Sequence, residues 1–288
     1  MATSSPESAL STGLRAVLSS RVPVRPHSPD LVGANDRRGT MLATGCQNGA
    51  AVLWDFDTRG VLKVLQDTDT AEPPSSVVAI GWSLNGRRVV TAEEKGRIRL
   101  WNVESGACIY TTVLESIALT VQISPCDPDV ILACPNAGVP VLIDVATGEM
   151  RSITRSHTAE APAASTTARK QGSEIQRVYT ACFTNDGVRI YVGNAKGLVT
   201  LWKAKTLDQC GSFQLPSATA VRNIQVSRDG AYVLVSDSGK IRVYDARQST
   251  LYREFMDQVD LRPHASPALS LSLSLSLSLS VTHPRLEG

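Results

Sequence analysis

Residues 88–106 read RVVTAEEKGRIRLWNVESG and contain two short apolar runs joined by a tight turn. The first run begins at Val89. The turn is centred on Gly96, because glycine supplies the positive φ angle that a hairpin turn requires. The second run ends at Trp101, and a further turn at Gly106 reverses the chain again. The stretch therefore predicts a β-hairpin followed by the turn into another strand.

This arrangement recurs in register along the chain. In five places a turn glycine precedes a large apolar residue by five positions: Gly49 and Trp54, Gly96 and Trp101, Gly138 and Ile143, Gly197 and Trp202, Gly239 and Tyr244. A second glycine lies nine or ten positions earlier in four copies: Gly39, Gly86, Gly187 and Gly230. Successive apolar landmarks are 47, 42, 59 and 42 residues apart. A period of about 40 to 45 residues, with strand pairs ending in Trp-Asp or a variant, is typical of a WD-repeat β-propeller.

The repeats predict an all-β fold with five four-stranded antiparallel blades. In the second blade we expect strands at 77–82, 88–92, 98–102 and 108–112. One blade cannot bury both of its faces, so stacking of neighbouring blades supplies the core. Propellers have about four to eight blades, and the WD type usually closes with seven. Five blades could close a ring, but we expect an incomplete seven-blade ring.

The segments outside the repeats differ from them in composition. Residues 1–30 are rich in Ser, Pro and Arg and are predicted to form a disordered tail. The blades occupy 31–260, interrupted at 154–176 by a polar, alanine-rich insert that predicts a surface loop. Residues 261–288 are a low-complexity tail, in which Leu and Ser alternate strictly over 269–280. A period of two fits an amphipathic strand, but so pure a repeat is also typical of low-complexity expansion.

Charge and cysteine content limit the classes of protein to which the chain can belong. Residues 41–150 carry seven Lys/Arg and thirteen Asp/Glu, whereas 151–248 carry fourteen and seven. One arc of the ring would then be acidic and the other basic, which fits either ordinary surface variation or a basic arc that faces phosphate or an acidic protein surface. None of the six cysteines forms a CxxC pair, which favours free thiols in a reducing compartment. No apolar run approaches the length of a membrane helix, so no membrane association is expected.

The residues give no support for catalysis. The four histidines lie in the tails or the insert, where nothing rigid would position them: His27, His157, His264 and His283. A hydrolase triad and a zinc site both need positioned ligands of this kind. No glycine-rich phosphate loop is present. Five aspartates at strand ends are predicted to cap turns: Asp55, Asp144, Asp186, Asp229 and Asp245. We therefore expect no enzyme activity, no metal and no cofactor.

Several segments are more specific than generic WD features. They are GTMLATGCQNGAAVLWDFDTRG (39–60), CPNAGVPVLID (134–144), YVGNAKG (191–197) and IRVYDAR (241–247). Together they resemble the retinoblastoma-binding protein five family, the Swd-one-type WD-repeat subunit of COMPASS and MLL-type histone methyltransferase complexes. The resemblance runs from about residue 36 to residue 250.

The resemblance implies a non-catalytic scaffold subunit of a nuclear complex that methylates lysine four of histone three. The implied partners are a SET-domain methyltransferase, a second WD-repeat subunit and an Ash-two-type SPRY subunit. The complex would engage the nucleosome through histone and DNA backbone. The family's activating segment after the propeller is not recognisable in this sequence. The alternative is a generic WD-repeat adaptor in another assembly, such as ubiquitin ligation or RNA processing.

The resemblance also suggests where nucleosome contact would fall. We nominate basic residues that we place in loops of the more basic arc: Lys196, Arg222, Arg242 and Arg247. Phosphate contact by such residues would make binding fall with salt. The alternative for each is an ordinary solvated charge.

Overall fold

A computed structural model describes residues 32–36, 38–67, 75–153, 177–237 and 239–256. The predictions for the tails at 1–30 and 261–288 and for the insert at 154–176 lie outside the described residues.

The described residues form five four-stranded antiparallel sheets, here called blades in chain order. The first blade contains β1 (Gly33–Asn35), β2 (Met41–Gly45), β3 (Ala51–Asp55) and β4 (Gly60–Leu65). The second contains β5 (Val77–Trp82), β6 (Arg88–Glu93), β7 (Arg97–Asn102) and β8 (Cys108–Val113). The third contains β9 (Ala118–Ile123), β10 (Val130–Pro135), β11 (Val141–Asp144) and β12 (Met150–Ser152). The fourth contains β13 (Val178–Phe183), β14 (Arg189–Asn194), β15 (Leu198–Lys203) and β16 (Gln209–Gln214). The fifth contains β17 (Asn223–Val226), β18 (Tyr232–Ser236), β19 (Lys240–Asp245) and β20 (Leu251–Met256).

Each blade is a meander in which consecutive strands pair. The predicted all-β class and the five four-stranded blades are confirmed, and the four strands expected in the second blade agree with β5 to β8 within one residue at each end. The turn glycines adopt positive φ, for example +79° at Gly96 between β6 and β7. A side chain would be strained at this angle, so the glycine period that defines the repeats marks the turns of the sheets.

The aromatic landmarks of the second, fourth and fifth blades lie between blades. The Trp101 side chain is buried between the second and the first blade, and its indole N–H donates to the Thr91 hydroxyl at 2.9 Å. Trp202 is buried against the third blade in the same way. Burial of a ring whose N–H is paired contributes apolar area without leaving a polar group unsatisfied. The landmark residue therefore stabilises the junction with the preceding blade.

Buried apolar clusters lie at the four junctions between consecutive blades. At the first junction Gly45 leaves room for the Val77 side chain, and at the fourth Gly193 leaves room for Val221. In the described part of the chain, no strand of the first blade packs extensively against a strand of the fifth. The five blades thus form a consecutive stack, and a ring of seven positions stays a prediction.

A one-residue register shift recurs beside the aromatic landmarks. It lies where the third and fourth strands of a blade pair next to Trp54, Trp101, Trp202 or Tyr244. The shift leaves one extra residue on the outer strand of each of these blades: Leu62, Ile109, Cys210 and Tyr252. Each is exposed. Such bulges bend the strand and increase its twist.

Candidate nucleic-acid interface

The blades have two distinct ends. The turns between second and third strands and the connections between blades lie at one end, which we call the upper end. The turns between first and second and between third and fourth strands lie at the opposite, lower end. The structure separates the nominated residues accordingly: Lys196 and Arg222 lie at the upper end and Arg247 at the lower end. No single surface of the described blades presents all of them.

The expectation that Arg242 is a loop residue available for phosphate is wrong. Arg242 lies in β19, and only 2% of its side chain is exposed. Its guanidinium pairs with Asp237 and, at 2.6 Å, with Glu254. Arg242 is two residues from Tyr244, and alternation along a strand therefore places both side chains on the face that packs against the fourth blade.

The carboxylate that pairs with Arg242 is held by further donors. The hydroxyls of Ser217 and Thr219 donate to Asp237 at 2.6 and 2.8 Å. Burial alone would raise the pKa of Asp237, but these hydrogen bonds and the Arg242 guanidinium outweigh it and lower the pKa. The Asp237 carboxylate therefore stays ionised. It joins the connection after the fourth blade to the upper turn of the fifth.

The second blade has a network built in the same register. Arg99 precedes Trp101 by two residues, as Arg242 precedes Tyr244, and it pairs with the buried carboxylate of Glu93. The Ser75 hydroxyl donates to Glu93 at 2.9 Å, in the role that Thr219 has in the fifth blade. Both networks hold a connection between blades onto the following blade.

Three exposed cations lie together on the upper end of the fourth and fifth blades, and we call them the upper basic group: Arg177, Lys196 and Arg222. The Ala195 amide donates to the Arg177 carbonyl at 2.8 Å, which joins the turn of Lys196 to the start of the fourth blade. The Val221 amide donates to the Asn194 carbonyl at 3.0 Å, which joins the same turn to the connection that carries Arg222.

An aromatic ring supports one member of this group. The Arg222 guanidinium lies 5.3 Å from the centre of the Tyr179 ring, a cation–π contact that limits the conformations of the arginine. The sequence interpretation does not include Arg177 or Tyr179. The signal for Tyr179 is its position at the start of β13, near the upper end of a strand that adjoins the fifth blade.

The five turn aspartates behave as predicted. In each, the carboxylate accepts the backbone N–H of the residue two positions later: Asp55, Asp144, Asp186, Asp229 and Asp245. These are short local turns in which the carboxylate replaces a backbone acceptor. The prediction that they cap turns is confirmed.

Two further observations concern the described residues. They include no group of three or more His, Cys, Asp or Glu side chains that could hold a metal ion. No helix among them is long and apolar enough to span a bilayer.

The comparisons with known proteins agree with this architecture. The profile of the family described as "WD domain, G-beta repeat" matches residues 66–102. The crystal structure of the Swd1 (Cps50) β-propeller domain from Myceliophteria thermophila superposes with a TM-score of 0.69 at 19% identity, covering 81% of this chain and 74% of that one. The fold is that of a WD-repeat β-propeller protein.

The similarity extends to particular proteins. The chain is 30% identical over 220 residues to the "Retinoblastoma-binding protein 5 homolog" of Drosophila melanogaster, covering 75% of this chain and 40% of the relative. It is 30% identical over 87 residues to the "Set1 complex component swd1" of Schizosaccharomyces pombe, covering 30% of this chain and 21% of the relative. The chain belongs to the family of retinoblastoma-binding protein five and Swd1, and the predicted resemblance is confirmed. It spans about two fifths of the length of the curated relatives that it matches over most of its own length.

Proposed function

We propose that this chain is a non-catalytic scaffold subunit of a nuclear complex that methylates lysine four of histone three. The observation that carries the proposal is the similarity over three quarters of the chain to retinoblastoma-binding protein 5 homologues, together with the match to a Set1 complex component. The stacked blades suit a scaffold, because their turns and rims offer several separate surfaces to partners.

The proposed partners are a SET-domain methyltransferase, a second WD-repeat subunit and an Ash-two-type SPRY subunit. The test is purification of the N-terminally tagged protein from its own cells, with partners identified by mass spectrometry. Recovery of SET-domain and SPRY proteins supports the proposal. Recovery of a ubiquitin-ligase or RNA-processing assembly without a methyltransferase overturns it in favour of a generic adaptor.

Within this function we propose that the upper basic group contacts the DNA backbone of the nucleosome. Its side chains are exposed, and backbone hydrogen bonds join the three segments that carry them. Arginine and lysine contacts to phosphate release counterions, so each contact adds about 0.9 to the slope of binding affinity against salt on logarithmic axes. The Tyr179 ring holds Arg222 ready for such contact, which reduces the ordering cost of binding.

The contact is tested by neutralising charges at one end of the molecule and then at the other. The variant Lys196→Gln/Arg222→Gln removes two upper cations, and Arg228→Gln/Arg247→Gln removes two exposed lower cations from the fourth-to-fifth blade region. Mononucleosome affinity is measured over a range of salt. The upper variant should bind more weakly, with a salt slope smaller by about 2.

The lower variant is the matched control and should keep the affinity and slope of the unaltered protein. Equal losses in the two variants would show a general effect of net charge and would refute a contact at the upper end. An unchanged slope in the upper variant would refute it as well.

A further inference from the structure

The connection between the fourth and fifth blades, residues 215–222, runs directly against the turn that carries Lys196. At its start the Leu215 amide donates to the Gly197 carbonyl at 2.9 Å. A Cβ atom added at Gly197 would lie 3.0 Å from the Ala218 Cα, so the two backbones are in close contact. Because Gly197 directly follows Lys196, the connection supports the backbone from which this cation extends.

The same connection is anchored to the fifth blade at two points. At its end the Arg222 amide donates to the Ser236 carbonyl in β18 at 2.8 Å. In its middle the hydroxyls of Ser217 and Thr219 donate to the Asp237 carboxylate at 2.6 and 2.8 Å. The two hydroxyl bonds therefore tie the segment that supports the turn of the fourth blade to the blade that begins just beyond Arg222.

The carboxylate that accepts these bonds is well suited to be an anchor. Asp237 and Arg242 pair with each other, and 2% of each side chain is exposed. Hydrogen bonds to an ionised acceptor are roughly twice as strong as those between neutral groups. The charge of Asp237 is balanced by the Arg242 guanidinium, so the anchor adds little repulsion for a phosphate at the surface.

The backbone at the centre of the connection is strained. Ala218 has a φ angle of +48°, in the left-handed region that residues other than glycine adopt at a cost in free energy. Strain of this kind persists where the surrounding structure imposes it. Ala218 lies between Ser217 and Thr219, so the two hydroxyl bonds to Asp237 hold the strained residue in place from both sides. Loss of these bonds would let the segment relax away from the turn of the fourth blade.

We propose that Ser217 and Thr219 are positioning residues for phosphate binding by the upper basic group. Their hydroxyls hold Lys196 and Arg222 in one arrangement across the junction between two blades. Cations that are already arranged for a phosphate backbone lose less conformational freedom on binding, and the contact is tighter. This role rests on the proposed contact with DNA and belongs to residues that carry no charge.

The test removes the two hydroxyls and leaves every charge in place. The variant Ser217→Ala/Thr219→Val keeps the side-chain shape of Thr219 and the pairing of Asp237 with Arg242. Mononucleosome affinity at constant salt should fall by about fivefold or more, because the cations are no longer held together. Hydrogen exchange, measured by mass spectrometry on the free protein, should be about tenfold faster or more in residues 215–222 than in the unaltered protein.

Two control variants separate positioning from other effects. Ser75→Ala removes the equivalent hydroxyl bond to Glu93 in the second blade and should keep the affinity of the unaltered protein. Ser217→Thr/Thr219→Ser keeps both hydroxyls and should keep both the affinity and the slow exchange. An equal loss of affinity in Ser75→Ala would show a general effect of a loosened connection and would overturn the proposal.

The outcomes distinguish this role from the DNA contact itself. If Lys196→Gln/Arg222→Gln binds more weakly and the variant without the hydroxyls binds normally, the contact stands and the positioning role is refuted. If the variant without the hydroxyls loses affinity while exchange in residues 215–222 is unchanged, the hydroxyls contact DNA directly, and the positioning role is again refuted. If neither variant loses affinity, the proposed contact fails and its positioning residues with it.

Discussion

Substitution of the buried Arg242 by methionine should destabilise the protein strongly, although the residue is a cation that could be mistaken for a surface charge. Methionine keeps much of the side-chain volume and removes the charge. Among the described residues, Asp237 then keeps the Ser217 and Thr219 hydroxyls as hydrogen-bond donors, in a position where 2% of its side chain is exposed. The substitution leaves a buried carboxylate without its cation.

Removal of one partner from a buried ion pair costs about 3–5 kcal/mol. For a domain of this size, each kcal/mol lowers the melting temperature by about 2–4 °C, so the expected loss is about 6–20 °C. The exposed Arg247 is the control, because Arg247→Met should change stability by no more than about 0.5 kcal/mol. Thermal unfolding followed by circular dichroism measures both variants.

The dependence on pH provides a second check. The pKa of Asp237 is lowered in the folded protein, so its contribution to stability is present above its unfolded pKa of about 3.9 and is lost as pH falls through the lower, folded value. Without Arg242 one cause of the lowered pKa is lost, so the pKa of Asp237 is higher in the variant than in the unaltered protein. The difference in melting temperature between the unaltered protein and Arg242→Met should therefore narrow as the pH falls through the pKa of Asp237 in the variant, because the protonated carboxyl no longer needs a cation.

A double substitution decides whether the ion pair is the cause. Arg242→Met combined with Asp237→Asn removes both charges, and it should recover part of the stability lost in the single variant. If Arg242→Met were as stable as Arg247→Met, or the double variant were no more stable than Arg242→Met, the reasoning about the buried pair would be refuted.

Three further predictions concern the turns, the landmarks and the thiols. Gly148→Ala should lower the free energy of unfolding by roughly 1–2 kcal/mol, the cost of a left-handed alanine, because the added Cβ has open space. Gly96→Ala should cost more, because the added Cβ would also collide with a backbone carbonyl. Urea denaturation compares the two variants. Trp101→Ala should lower the free energy of unfolding by about 3–5 kcal/mol, and Trp54→Ala should lower it less because Trp54 is only half-buried. The same denaturation series measures both, and equal losses would contradict the burial of Trp101 between the first and second blades. Burial raises the pKa of the Cys182 thiol to about 12, so a thiol reagent at pH 8 should spare it in the folded protein and modify the exposed cysteines, as mass spectrometry of labelled peptides would show.

The architecture could be predicted from the sequence because its determinants are local. A turn glycine such as Gly96 is required by backbone geometry, and the aromatic residue five positions later is fixed by the length of one strand. Repetition of this spacing five times removes the ambiguity that one short apolar hairpin would leave. The strand limits of the second blade follow from the same spacing.

The candidate site is harder to predict because it depends on which side of a strand a residue occupies. The charge of Arg242 suggests a loop, although its spacing from Tyr244 puts it on the buried face. The sequence does carry a signal: Arg99 has the same spacing from Trp101, and an acidic residue precedes the turn glycine in both blades. A count of basic residues along the sequence does not show which of them pair with an acidic residue in the fold.

The separation of Lys196 and Arg222 from Arg247 has a similar origin. All three lie in the more basic part of the sequence, but alternate connections of a meander lie at opposite ends of the sheet. The number of strands between two loops therefore decides whether they share a surface. This rule needs only the order of the strands, which the glycine and aromatic spacing already predicts.

The bulges beside the aromatic landmarks affect how the molecule meets other proteins at its circumference. An unpaired outer strand offers a row of N–H and C=O groups on which a foreign strand can assemble. In four blades the extra residue on the outer strand bends that row and interrupts it, for example at Ile109 in β8. Copies of the protein are thereby discouraged from joining edge to edge into extended sheets. Partners that approach the circumference must bind through side chains, which allows them to be selected by sequence instead of by a shared backbone pattern.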